Sequence, residues 1–206
     1  MSKPASSLAK ELIGHLRYLE FTRFKMEKLL IAGSIVRRDM DLVYEGLYLD
    51  SITSFESMIE NLFIGLLSGR TICGSPSVVP RITFSSNRVA RDIVFGGKNY
   101  VDWIPYHHTE KRAKAFFRNG MPFTRLIKSD KGKIENLLYI RNAIAHKSSY
   151  SKHKFEREVI GSLPLITRER TPAGFLRSRF RISPVQTRYE NLMTDMILIA
   201  SKLCSK

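Results

Sequence analysis

The chain has 206 residues, 43% of them hydrophobic and 26% charged, enough for one sizeable core and short for two. Lysine and arginine number 34 against 19 aspartate and glutamate, giving a formal charge of +15 and a pI near 10.0, which points to a polyanionic partner without choosing among RNA, DNA, acidic protein and anionic lipid. Cys73 and Cys204 are the only cysteines and have neither the spacing of a zinc site nor a disulfide framework, so no metal and no cofactor is expected, and a reducing cytoplasm fits.

The lead Met1-Ser2-Lys3-Pro4-Ala5-Ser6-Ser7 lacks the apolar core of a signal peptide. No apolar run approaches the roughly 20 residues needed to cross a bilayer, so a soluble cytoplasmic protein with no membrane partner is expected. Ser7 can cap a helix over 8–32, where Leu12, Leu16 and Leu19 and then Phe24, Leu29 and Leu30 form an apolar stripe that stops at Gly33. Asp41 opens the longest pattern. Tyr44, Tyr48, Ile52, Phe55, Ile59, Leu62, Phe63 and Leu66 recur at three- and four-residue steps up to Gly69, as a central core helix requires. Its Glu56 and Glu60 read most simply as solvated or paired carboxylates, with a place in a catalytic cleft as the alternative.

From Arg70 to Pro105, glycines and prolines punctuate an excursion in which only 85–95 reads as helix. Another helix is predicted over 109–117, ended by Asn119-Gly120-Met121-Pro122. The next begins at Ser129 or Asp130 and carries Ile134, Leu137, Leu138, Ile140, Ile144 and Ala145, apolar over most of its circumference and therefore expected to be buried. Lys147 to Lys154 reads as a polar, basic loop. In 175–182, alternation places Arg177, Arg179 and Arg181 on one face of a half-buried strand and Leu176, Phe180 and Ile182 on the other, a basic ribbon suited to a polyanion. Thr187-Arg188-Tyr189-Glu190 is a capping box for a last amphipathic helix through Leu192, Met193, Met196, Ile197, Ala200 and Leu203. The expected fold is all-α and one domain over 1–206. It comprises a helical core over 8–150, a small basic β/loop excursion over 151–186 and a C-terminal core helix over 187–204.

The chemistry concentrates in Arg141-Asn142-Ala143-Ile144-Ala145-His146. Arg-x4-His is a common spacing in so basic a chain, and the context gives it weight, because no other histidine has an arginine five positions ahead. Arginine can neutralise charge building on a phosphate, and histidine both takes and gives a proton near neutral pH. RNA carries its own nucleophile, the 2′-hydroxyl, so acid/base help and charge stabilisation suffice to cleave it; DNA lacks that group. Arg141, Asn142 and His146 are thus the candidate catalytic residues. Lys147, Arg177, Arg179 and Arg181 are the candidate RNA contacts.

An all-helical core with a long second helix, then a helix ending in Arg-Asn-x-x-Ala-His and a polar loop, resembles the HEPN superfamily of metal-independent ribonucleases. The motif positions are matched by Arg141, Asn142 and His146, and Tyr106-His107-His108 through Phe123 resembles segments upstream of the motif in some members. The likeness spans about residues 8–150 and the terminal helix, leaving 152–186 unassigned. It implies an endoribonuclease yielding 2′,3′-cyclic phosphates, a toxin or effector of antiviral or toxin–antitoxin systems, with an antitoxin or defence-complex partner. It also implies a homodimer with a composite site. Helix geometry points the same way: residues five apart differ by about 140° in direction, so a second copy would complete the cleft.

Plainer readings stand beside these. Arg141 can be a helix cation paired with an acid such as Glu135, and His146 a residue favoured by the helix dipole. His107 and His108 can serve packing or hydrogen bonding. The whole chain can be a non-catalytic nucleic-acid-binding module or a scaffold subunit of a defence complex.

Overall fold

The structure is a computed structural model that describes residues 2–146 and 148–205. Among these residues it holds eight α-helices and four strands of two or three residues, an all-α protein. Backbone contacts divide the chain into two compact units, one of residues 1–13, 54–135 and 196–206 and one of residues 14–53 and 136–195.

Helix α1 (Ala5–Ile31) buries Ala9, Leu12, Leu16 and Leu19 at steps of three and four. Beyond Leu19 the expected stripe does not continue, since Phe24 and Leu29 are exposed, as are Tyr18 and Phe21. Helix α2 (Arg37–Leu67) begins four residues before Asp41 because Asp39, not Asp41, closes its first turn, accepting from the Val36 backbone N–H at 2.8 Å. Its buried positions run from Met40 through Tyr44, Tyr48, Ile52 and Phe55 to Leu67.

In the first unit, Phe63 gathers the aromatic core, with ring centroids 5.1 Å from Trp103, 5.0 Å from Phe117 and 5.0 Å from Phe123. The excursion after α2 holds α3 (Asn87–Phe95), capped by Ser86 and closed by Gly96 in the left-handed conformation at φ 59°. Helix α4 (Tyr106–Phe116) starts three residues earlier than its sequence pattern and stops where Phe117 turns extended at φ −124°, just before Asn119 and Gly120 take positive φ. Lys3–Pro4 (β1) and Thr71–Ile72 (β2) pair in parallel. Lys202 binds both carboxylate oxygens of buried Asp130 at 2.7 and 2.9 Å. Glu60 accepts from the Trp103 indole at 2.9 Å and pairs with Arg91 at 2.7 Å, a structural role.

The second unit is organised by a polar network. Arg177 donates from Nε and Nη2 to the two oxygens of Glu27, each at 2.9 Å; the Tyr44 hydroxyl donates to Glu27 at 2.9 Å and accepts from Arg23 at 3.3 Å. Arg23 also pairs with Glu190, which closes the capping box by accepting from the Thr187 backbone at 2.6 Å, while Thr187 Oγ1 accepts from the Glu190 backbone at 3.3 Å. The box starts α8 (Arg188–Cys204).

The segment before α8 departs most from the sequence pattern. Residues read as a loop form α6 (Ser149–Lys154), which runs into a π-helical turn at Phe155–Ile160. Ser148 caps α6 through the Ser151 N–H at 3.2 Å, and buried Phe155 and Ile160 anchor the turn. The expected strand shrinks to β3 (Arg179–Arg181), antiparallel to β4 (Gln186–Thr187). Residues 172–177 are instead helix α7 (Pro172–Arg177), because Thr171 caps Gly174 N–H at 3.1 Å and proline occupies the first turn.

Candidate functional site

Helix α5 (Lys128–His146) ends on the motif. Its first turn is held by Asp130, whose carboxylate accepts from the Ile127 N–H at 3.2 Å. Ile134, Leu137, Ile140 and Ile144 fix one buried face, while Leu138 is half-buried and Ala145 exposed, so the helix is buried along a stripe and not around its circumference. The stripe leaves Arg141 and Asn142 half-buried and puts His146 in solvent, a suitable approach for a large substrate.

Arg141 and His146 meet. Arg141 Nη1 donates to Asn142 Oδ1 at 3.0 Å and lies 3.5 Å from His146 Nε2, at the outer limit of a hydrogen bond. The 140° offset therefore does not keep the two apart, because the long arginine side chain spans the turn between them. One chain assembles guanidinium, amide and imidazole, so the angular argument for a second copy does not hold. The amide orients the guanidinium by taking one of its N–H groups.

The expected basic ribbon is rearranged. Arg177 sits on α7 and is committed to Glu27, whereas Arg179 and Arg181 lie on β3 and are exposed. All three nevertheless border one open cavity of about 760 Å³, joined there by Arg37, Arg168 and Arg188, which no local pattern in the sequence singles out. Burial depresses the Arg188 guanidinium below its ordinary value, only partly opposed by Glu169. Lys147 lies outside the described residues.

His107 and His108 stack edge to face with centroids 4.2 Å apart, and burial together with the His107 and Arg112 charges lowers the His108 imidazole below its ordinary value. Among the described residues no group of three or more His, Cys, Asp or Glu is placed to hold a metal, and no helix is long and apolar enough to cross a membrane. Compared with protein-family models, curated proteins and solved structures, the chain matches none of them.

Proposed function

We propose that the protein is a metal-independent endoribonuclease of HEPN type. The observation that carries the reading is the approach of Arg141 Nη1 to His146 Nε2, 3.5 Å apart at a solvent-exposed helix end. In this scheme the RNA 2′-hydroxyl attacks the adjacent phosphorus, its proton passing to an imidazole. The bond to the 5′-oxygen breaks, that oxygen takes a proton, and a 2′,3′-cyclic phosphate and a 5′-hydroxyl result. Arg141 stabilises the crowded phosphorane charge, and Asn142 keeps the guanidinium aimed.

The attacking and leaving oxygens lie on opposite sides of phosphorus, so a base and an acid are needed at two places. One His146 fills one of them. His146 of a second copy fills the other, which is the chemical ground for a homodimer. A stable monomer that still cleaves RNA, measured by sedimentation, removes the dimer from the proposal. The +15 charge supports RNA as partner, drawing the backbone toward the site. A toxin or defence effector role, with an antitoxin or complex partner, follows from the resemblance alone, and a place in the cytoplasm from the cysteine usage and the lack of a long apolar run.

The arginine cavity favours a second reading, a binding or scaffold subunit of a defence complex that positions phosphate without cleaving it. Product ends separate the two. Cyclic phosphates formed in excess chelator by the wild type and not by His146→Ala establish the nuclease, and RNA retained intact by both establishes the binder.

A further inference from the structure

We propose that the arginine-lined cavity of the second unit binds the polyphosphate group of a nucleotide. Its charged walls come from distant parts of the chain: Arg37 opens α2, Arg168 lies in the turn 167–169, Arg179 and Arg181 form β3, and Arg188 opens α8. Arg177 is neutralised by Glu27. The other five arginines share the cavity with one carboxylate, Glu169, an excess of four positive charges. Bringing like charges together costs free energy that falls when an anion enters, and guanidinium forks match phosphate oxygens in geometry as well as sign.

The size of the charge decides between anions. A cavity of about 760 Å³ lies in the range that encloses one small ligand. An RNA strand carries one charge per nucleotide, so the one or two nucleotides that fit would bring about one or two charges. A nucleoside triphosphate brings about four, each phosphate contributing between one and two. For the nucleoside part the cavity is also lined by Pro164, Leu165, Phe180 and Ile182, and the Phe180 ring, 48% exposed, is of the kind on which a base can stack. Arg188 is already oriented. Its Nε donates to Ser178 Oγ at 3.1 Å, and its guanidinium lies 5.1 Å from the Phe175 ring centre and 5.9 Å from that of Phe180.

The same chemistry has two sources, a free nucleotide and the 5′-triphosphate end of an RNA. The inference goes beyond the cleavage reading and does not depend on it, so the test uses His146→Ala protein in chelator, where RNA stays intact under either reading. Calorimetric titration is expected to show adenosine triphosphate binding at least about tenfold tighter than adenosine monophosphate, with about tenfold loss or more in Arg179→Gln/Arg181→Gln. Equal affinities for the two nucleotides overturn the proposal, as does unchanged triphosphate affinity in a folded double variant. If that variant does not fold, Arg37→Gln and Arg168→Gln replace it, and unchanged affinity in both is equally contrary. Displacement by a short RNA with a 5′-triphosphate, and not by the same RNA with a 5′-hydroxyl, supports the site with an RNA end as source. Displacement by neither supports it with a free nucleotide as source, and equal displacement by both overturns it.

Discussion

Arg177 grips Glu27 through two parallel hydrogen bonds, Nε to Oε1 and Nη2 to Oε2, each 2.9 Å long. A residue that sequence alternation places on a nucleic-acid face thereby becomes a structural cation. Burial by itself would raise the Glu27 carboxyl, but the hydrogen bonds from Arg177 and Tyr44, with the Arg177 and Arg23 charges, hold it below its ordinary 4.5. A carboxyl depressed in the folded state contributes stability that is complete above about 4.5 and fades as pH falls through the folded value. Glu27→Gln is expected to cost about 1–2 kcal/mol at neutral pH, toward the low end because both side chains keep about a fifth of their surface exposed, at 21% and 22%. Denaturant midpoints should converge with wild type as the pH falls below 4; a gap that widens there contradicts the account.

Four tyrosines set the alkaline limit. Burial pushes Tyr44 and Tyr189 up to about 12, and Tyr48 and Tyr106 well above 10. A group raised in the folded state contributes stability that is complete below the unfolded value, about 10, and is lost as pH rises through the folded one. The melting temperature followed by circular dichroism should hold to about pH 10 and fall steeply toward 12. A flat profile across that interval contradicts the burial of these hydroxyls.

Gly174 lets α7 meet the turn before it. A Cβ there would lie 2.0 Å from the Arg168 carbonyl oxygen and 2.9 Å from Thr171 Oγ1, so Gly174→Ala forces backbone to move on the wall of the arginine cavity. The expected loss is about 1–3 kcal/mol. Gly132, inside α5 with nothing within 4 Å of an added Cβ, is the control. Gly132→Ala should be neutral or stabilise by about 0.5–1 kcal/mol through helix propensity. Equal midpoints for the two variants in denaturant would contradict the contact.

The parts of the fold readable in advance are those fixed by local chemistry. The α2 stripe repeats without interruption from Met40 to Leu67, and the Thr187–Glu190 box lies within four consecutive positions. Ser86 and Gly96 mark α3 equally locally. What escaped depends on distant partners. Polar Ser149–Lys154 has no apolar period of its own and is helical because Ser148 caps it and Phe155 and Ile160 are buried after it. Arg177, Arg179 and Arg181 alternate like a strand, yet Thr171 and Pro172 start a helix that takes Arg177 to Glu27. Arg141, Asn142 and His146 are legible as a spacing; their convergence is not, because it turns on the reach of one arginine side chain. Arg37, Arg168 and Arg188 reach the cavity only through tertiary structure.

The imidazole and guanidinium at the end of α5 are tested by the single-turnover rate on a defined RNA in excess chelator for wild type, Arg141→Ala and His146→Ala, with folding of each confirmed by melting. The wild type is expected to leave 2′,3′-cyclic phosphate ends, and both variants to be at least about 100-fold slower, the scale of a lost acid/base or charge-stabilising group. Cleavage by His146→Ala at the wild-type rate contradicts a catalytic role for the pair.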